Sequence, residues 1–342
     1  MPVPTDPDLQ AARHRGDAWA DGYLARQLAA PERKASFYQA LGQGSEALWS
    51  FVAATDSELD AAVGLWPLGA KLFWRAQAQQ VFAKRGAEVL LLLGLYSLPY
   101  CYAAADGAAV LVATGRLSGS AQALVRLQET ARFVHTVLAG TELEARQACL
   151  HVRLIHALVR HHLLQRDWPS AARGLPVCQE DMAGTNLAFG YLTVRGLRLL
   201  GLPLSSAEAE AYLGWFSVLG TWLGVEPALS PASQADAYAL ASAIERRHHR
   251  PSPAGLQLTR ALLDSFKDSQ APALIADRAP ALMAALLGPK VAGCLDLPPA
   301  EPQLLPRLRT INTLRAFLPV EPDWLGARRA RREVRRSNLS AH

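Results

Sequence analysis

The chain is short of cysteine. Four cysteines in 342 residues cannot staple a disulfide scaffold. Cys101, Cys149, Cys178 and Cys294 form no CxxC pair, so free thiols are expected rather than a zinc or redox site. Common catalytic signatures are missing too. There is no HExxH, no P-loop, no GxGxxG, no GxSxG nucleophile elbow, and no second Glu-x-x-His segment of the kind a di-iron bundle needs. Charge of one sign is scarce outside the C-terminal end. The net charge is +5, and Arg328, Arg329, Arg331, Arg332, Arg335 and Arg336 against Glu333 account for all of it. The rest of the chain is neutral, which argues against a cationic face for nucleic acid. The N-terminus, Met1-Pro-Val-Pro-Thr-Asp, has neither the basic start nor the apolar run of an export signal, so a cytoplasmic location is expected. One long apolar stretch exists, from Val89 to Ala105, interrupted by Pro99. It is short for a bilayer and reads as a buried core helix followed by a turn, so no transmembrane segment is expected.

Apolar residues are abundant. With 50% hydrophobic and 19% charged residues the chain can fill a large core and is not disordered. The apolar residues recur with helical period. Cys149, Val152, Ile155, Val159 and Leu163 predict a helix over 142–165; Leu213, Phe216, Leu219 and Leu223 predict one over 206–223; a third is predicted over 230–249. Period-2 alternation is absent, so almost no sheet is expected. Proline and glycine mark short breaks at Trp168-Pro169, Gly174-Leu-Pro176, Gly201-Leu-Pro203 and Arg250-Pro-Ser-Pro253. The reading is all-α: one domain over 1–325 with about a dozen helices, followed by a basic, flexible tail over 326–342. Trp215 and Trp222, one helical face apart, read as core. Arg246 to Arg250 reads as an exposed basic helix end.

Three groups of residues could carry chemistry. The first is Val152-Arg-Leu-Ile-His-Ala-Leu-Val-Arg160. At about 100° per residue, Arg153, His156 and Arg160 share one side of a helix beside the apolar stripe of Val152, Val159 and Leu163. A single histidine there is ordinarily a core residue with a hydrogen-bond partner. Two buried guanidinium groups, however, need anions. Glu180 or Asp181 could supply them, as could the carboxylates of a cofactor. Haem meets that need, since a neutral imidazole ligates its iron and arginines pair with its propionates. The second group is Arg126 and Thr130, spaced i, i+4 on one face with Phe133 and Val137. They could hold a bound oxygen species, or simply form a capped structural pair. The third is Gln179-Glu-Asp-Met-Ala-Gly-Thr185. Its acids fit a helix start, and Met182, Gly184 and Thr185 could pack near a cofactor.

These segments stand in a characteristic order: Leu98-Pro-Tyr-Cys-Tyr-Ala-Ala104, Ala113-Thr-Gly-Arg-Leu117, Arg126 to Thr130, Val152 to Arg160, Gln179 to Thr185, and Trp215 before Leu223-Gly-Val225. The series resembles the haem-b oxygenase family of the latex clearing proteins, with the fungal oxygenases of mycophenolic acid biosynthesis as more distant members. The likeness spans about 85–250. It implies a globin-like helical core around one haem b. It implies His156 as the proximal iron ligand, with Arg153 and Arg160 accompanying it and Met182 and Thr185 beside the cofactor. Arg126 and Thr130 match cavity residues. The partners implied are dioxygen and an apolar small molecule with a carbon–carbon double bond. Two departures stand out. A lysine precedes the matched threonine in the latex clearing type, and here that position is Glu129. The family's cavity glutamate has no match beyond Asp106. A haem-dependent oxygenase is the leading expectation; a non-catalytic haem carrier or sensor and a haem-free helical scaffold are the alternatives.

Overall fold

A computed structural model describes residues 4–59, 68–115, 119–268 and 273–317. The Arg-rich tail lies outside them. Among the described residues there is no strand, and a single isolated bridge joins Ala104 to His249. The fold is all-α. Four short helices, Asp6–Arg13, Ala18–Leu28, Pro31–Gln43 and Ser45–Thr55, precede the long helix Leu68–Leu92. The count exceeds a dozen because brief helices such as Ser170–Arg173 and Pro289–Cys294 interrupt the longer runs.

The apolar run at 89–105 is segmented. The long helix ends at Leu92, a π-turn covers Leu93–Ser97, and the helix Leu98–Ala103 carries Pro99 in its first turn, where no amide donor is needed. Ala104 is extended and begins the next helix, Ala105–Ala113. The helix expected over 142–165 is observed as Glu142–Leu164. It starts at a capping box, with Thr141 accepting from the Glu144 amide and Glu144 accepting from the Thr141 amide. Ser205 and Glu208 do the same for Ser206–Trp222. The third expected helix is Gln234–His248, capped by Ser233.

The core has two apolar clusters. One joins the N-terminal helices to Val134, Leu138, Cys149, Leu154, Trp215 and Trp222. The other joins Leu95, Tyr102, Ala188, Leu197, Leu262 and Met283. Trp215 and Trp222 are buried in edge contact, with centroids 5.4 Å apart. The helix Ser120–Ala139 serves both clusters: Ala123 packs in the second and Val134, Val137 and Leu138 in the first. Helix Gln179–Phe189 does likewise, through Met182, Ala183 and Leu187 on one side and Ala188 on the other. These two helices carry Arg126, Thr130, Met182 and Thr185, while helix Glu142–Leu164, which carries Arg153, His156 and Arg160, packs in the first cluster through Cys149, Leu150 and Leu154. Among the described residues, no helix is long and apolar enough to cross a membrane.

Candidate functional site

Helices Ser120–Ala139 and Glu142–Leu164 meet at Gly140 and Thr141 and pack together as a hairpin. At a rise of roughly 1.5 Å per residue, Arg126 and His156 both lie about 21–23 Å from that turn. They therefore sit at one level, and the Arg126 charge is felt at His156. Burial pushes the His156 imidazole down to about 4. Arg160 and Arg126 add to the shift, and Asp17 opposes it. The ring is neutral at ordinary pH. Its Nδ1 is sealed from solvent and has no hydrogen-bond partner. That separates it from the usual core histidine, whose buried nitrogen is satisfied. The residue as a whole is only half-buried.

On helix Gln179–Phe189, Thr185 is exposed although Met182, Ala183, Leu187 and Ala188 around it are buried. Its side chain hydrogen-bonds the Cys101 thiol, which burial pushes up to about 12. Its hydroxyl donates to the Asp181 carbonyl at 2.8 Å. Met182 is buried in the first cluster, and Gly184 sets its backbone against Ile244.

The two arginines beside His156 find their anions elsewhere than in helix Gln179–Phe189. Arg153 grips Asp17, with Nε to Oδ2 at 2.5 Å and Nη2 to Oδ1 at 2.9 Å, and lies 4.8 Å over the Trp19 ring. Arg160 donates Nε to both Asp21 oxygens at 2.8 and 3.0 Å, and Nη1 to the Val177 carbonyl at 2.9 Å. Its Nη2 is buried without a partner. Burial pushes the Asp21 carboxyl up, against the pull of Arg160. Glu180 and Asp181 serve other cations. Glu180, fully buried, meets Arg247 at 2.7 Å and His248 at 2.8 Å; Asp181 meets Arg13. The segment 246–250 is thus no plain exposed helix end, since His248 and His249 are buried and Arg247 reaches into the core.

Arg126 and Thr130 form one network. Arg126 pairs with Glu129 at 2.7 Å, and the Thr130 hydroxyl donates to the Arg126 carbonyl at 2.7 Å. Both partners of that ion pair are about 40% exposed. Asp106 is ringed by Arg250 at 2.8 Å, Arg13 at 3.6 Å and Arg173 at 3.8 Å. Its two oxygens are shared among these three guanidinium groups. Among the described residues no cluster of three or more metal-ligating side chains exists.

Residues 74–319 match the family model described as "ER-bound oxygenase mpaB/B'/Rubber oxygenase, catalytic domain". The chain belongs to this oxygenase family. Arg126, Thr130, Arg153, His156, Arg160, Met182 and Thr185 all fall inside the family's domain. The rubber oxygenase of Streptomyces sp. (strain K30) is 32% identical over 114 residues, which are 32% of this chain and 28% of that protein. The chain thus aligns with under a third of that relative's length. The solved structure of latex clearing protein LCP in the closed state superposes with a TM-score of 0.67, covering 94% of this chain and 88% of that one at 22% identity. It shows the same all-α fold.

Sequence reasoning assigned no individual role to four residues that buttress the His156 helix and the chain segment packed against it. Asp17 and Asp21 are two. Gln179 is the third: its side-chain amide donates to the Gly16 and Gly224 carbonyls, both at 2.9 Å, and its oxygen accepts from the Glu226 amide at 2.8 Å. Gly224 is the fourth, with φ of 89° and its Cα against the Asp17–Arg153 pair. The one sequence signal was the pair of acids four residues apart at the start of a helix.

Proposed function

We propose that the chain is a haem-dependent oxygenase that uses dioxygen on an apolar small molecule containing a carbon–carbon double bond. The observation that carries this reading is His156, a neutral imidazole whose buried Nδ1 has no partner, inside an oxygenase-family fold. The residues present fit haem b. His156 would hold the iron. The buried, unpartnered Nη2 of Arg160 suits a propionate, with Arg153 beside it, and Met182 and Thr185 would pack against the ring. Bound haem supplies the redox chemistry of oxygen activation. The chain supplies the surroundings. Its two apolar clusters supply apolar packing on either side of the helices that carry Arg126 and Met182. Arg126 presents a guanidinium at the level of His156 from the neighbouring helix, which can orient and polarise a bound oxygen species. Thr130 fixes the backbone that carries Arg126 through its 2.7 Å hydrogen bond. An apolar substrate suits the two apolar clusters against which these helices pack. The unit carrying this function is the single domain over 1–325, since ion pairs from the N-terminal helices reach the His156 helix.

The test is the visible spectrum of the purified full chain expressed with haem supply. The wild type shows a Soret band, and His156→Ala loses it. Haem content unaffected by His156→Ala overturns the assignment of the ligand. A second reading, a haem carrier or sensor, is favoured by the Arg126–Glu129 pair, which occupies the guanidinium. It predicts the same spectrum with no oxygen consumption on any apolar alkene.

A further inference from the structure

The helix that carries His156 is clamped from outside the family domain. Arg153 lies three residues before His156 and Arg160 four after, so the two guanidinium groups bracket the imidazole by about one turn on each side. Each is locked by an acid from residues 17–21, well before residue 74, where the family match begins. The acids are themselves fixed. Asp17 caps its helix by accepting from the Ala20 amide at 3.2 Å. The preceding strand of chain is stitched down on both sides. The Leu175 amide donates to the Arg13 carbonyl at 3.0 Å, the Gln179 amide donates to the Arg15 carbonyl at 2.9 Å, and Gln179 holds the Gly16 carbonyl. The same Gln179 opens the helix bearing Met182 and Thr185. One short segment therefore touches both that helix and the helix carrying His156.

We propose that Asp17 and Asp21 are positioning residues of the cofactor site: through Arg153 and Arg160 they fix the orientation of His156 and neutralise the two cations flanking it. The inference rests on the haem reading above. Neither acid touches the reacting atoms. Their work is to hold a ligand-bearing helix in register and to keep the charge around the ring balanced. Outer-shell partners of this kind commonly change ligand affinity by about 10–100-fold when removed.

The experiment uses the full-length haem-loaded protein. Asp17→Asn and Asp21→Asn keep the shape of each side chain and remove its charge. Each is expected to speed haem transfer to excess apomyoglobin by about tenfold and to move the haem reduction potential to a more positive value, because a guanidinium beside the ring is left uncompensated. Asp21→Glu, at the more exposed of the two acids, restores both readouts toward the wild type. Arg15→Ala, which breaks the solvent-facing Arg15–Glu226 pair on the same segment, leaves both unchanged. Variants that melt earlier but keep wild-type haem release and potential overturn the inference while the haem reading stands. A wild type that takes up no haem overturns both.

Discussion

Gly224 offers a sharp test of the clamp's energetics. Its φ of 89° is one that side-chain-bearing residues rarely adopt. A Cβ placed there would run into Asp17 Oδ2, and would stand 2.8 Å from Asp17 Cγ and 2.9 Å from Arg153 Nε. Gly224→Ala therefore carries two costs. The left-handed backbone contributes about 1–2 kcal/mol. Forcing Asp17 off Arg153 breaks an ion pair that is more than nine-tenths buried on both sides, worth about 3–5 kcal/mol because a charge is stranded. The sum, roughly 4–7 kcal/mol, is a large part of a typical domain's stability of about 5–15 kcal/mol. Urea denaturation of the wild type, both single variants and the double variant with Asp17→Ala separates the two. Once Asp17 is truncated its clash is gone and the backbone cost dominates, so Gly224→Ala should then cost about 1–2 kcal/mol. The coupling between the sites is expected at about 3 kcal/mol or more. Equal costs for Gly224→Ala in the two backgrounds would refute the steric account. Gly42→Ala is the control. Gly42 lies in the helix Pro31–Gln43 with nothing within 4 Å of its Cβ position, so the change should stabilise by about 0.5–1 kcal/mol.

Two acid-titration predictions follow from buried pairs. Burial raises the Glu180 carboxyl, but His248 and Arg247 together outweigh it and hold it below its ordinary 4.5. Its contribution is present above that value and lost as the pH falls through the folded value. Glu180→Gln should thus cost about 2 kcal/mol at pH 7 and progressively less below pH 4.5, as read by melting temperature. Burial and His248 push His249 down to about 3 from 6.5. The unfolded chain takes up that proton first, so stability falls as the pH drops below 6.5. His249→Phe, which keeps the ring against Tyr100, should flatten the loss between pH 6.5 and 4, worth up to about 3 kcal/mol at pH 4. Arg126→Met should retain the Soret band and reduce oxygen consumption with an apolar alkene by about a hundredfold. Unchanged consumption removes Arg126 from the reaction. Glu129→Gln should leave the melting curve within about 1 kcal/mol, since the pair it breaks is solvent-screened.

The helices were legible because their signals are local. Apolar residues at helical spacing, Thr141 with Glu144, and Ser205 with Glu208 mark where chains of hydrogen bonds begin, and the observed starts at Glu142 and Ser206 follow. The alternation of 89–105 between α and π turns was not legible. Its hydrophobicity is uniform, and the hydrogen bond that anchors the π-turn, from the Ser97 hydroxyl to the Ala188 carbonyl, reaches 91 residues along the chain. The charge partners were the least legible. Arg153 and Asp17 are 136 residues apart, and nothing in the sequence around Arg153 distinguishes Asp17 from Glu180 or Asp181. Asp106 shows the same limit, because its three arginines come from residues 13, 173 and 250.

The internal pairing of Arg153 and Arg160 changes which feature points toward a cofactor. Two buried guanidinium groups with no anion in the chain would demand a ligand's carboxylates on energetic grounds alone. Asp17 and Asp21 meet that demand, so the arginines by themselves are compatible with an empty, purely structural core. His156 is different. No carboxylate, carbonyl or hydroxyl satisfies its Nδ1, although a buried polar atom left without a partner costs about 1–3 kcal/mol. The chain tolerates that cost beside an unpartnered Nη2 on Arg160, one turn further along the same helix. Three nitrogens on this helix, those of His151 Nδ1, His156 Nδ1 and Arg160 Nη2, are buried without a partner, and in the reading proposed above the last two would be taken up by the metal and an acid of one bound group.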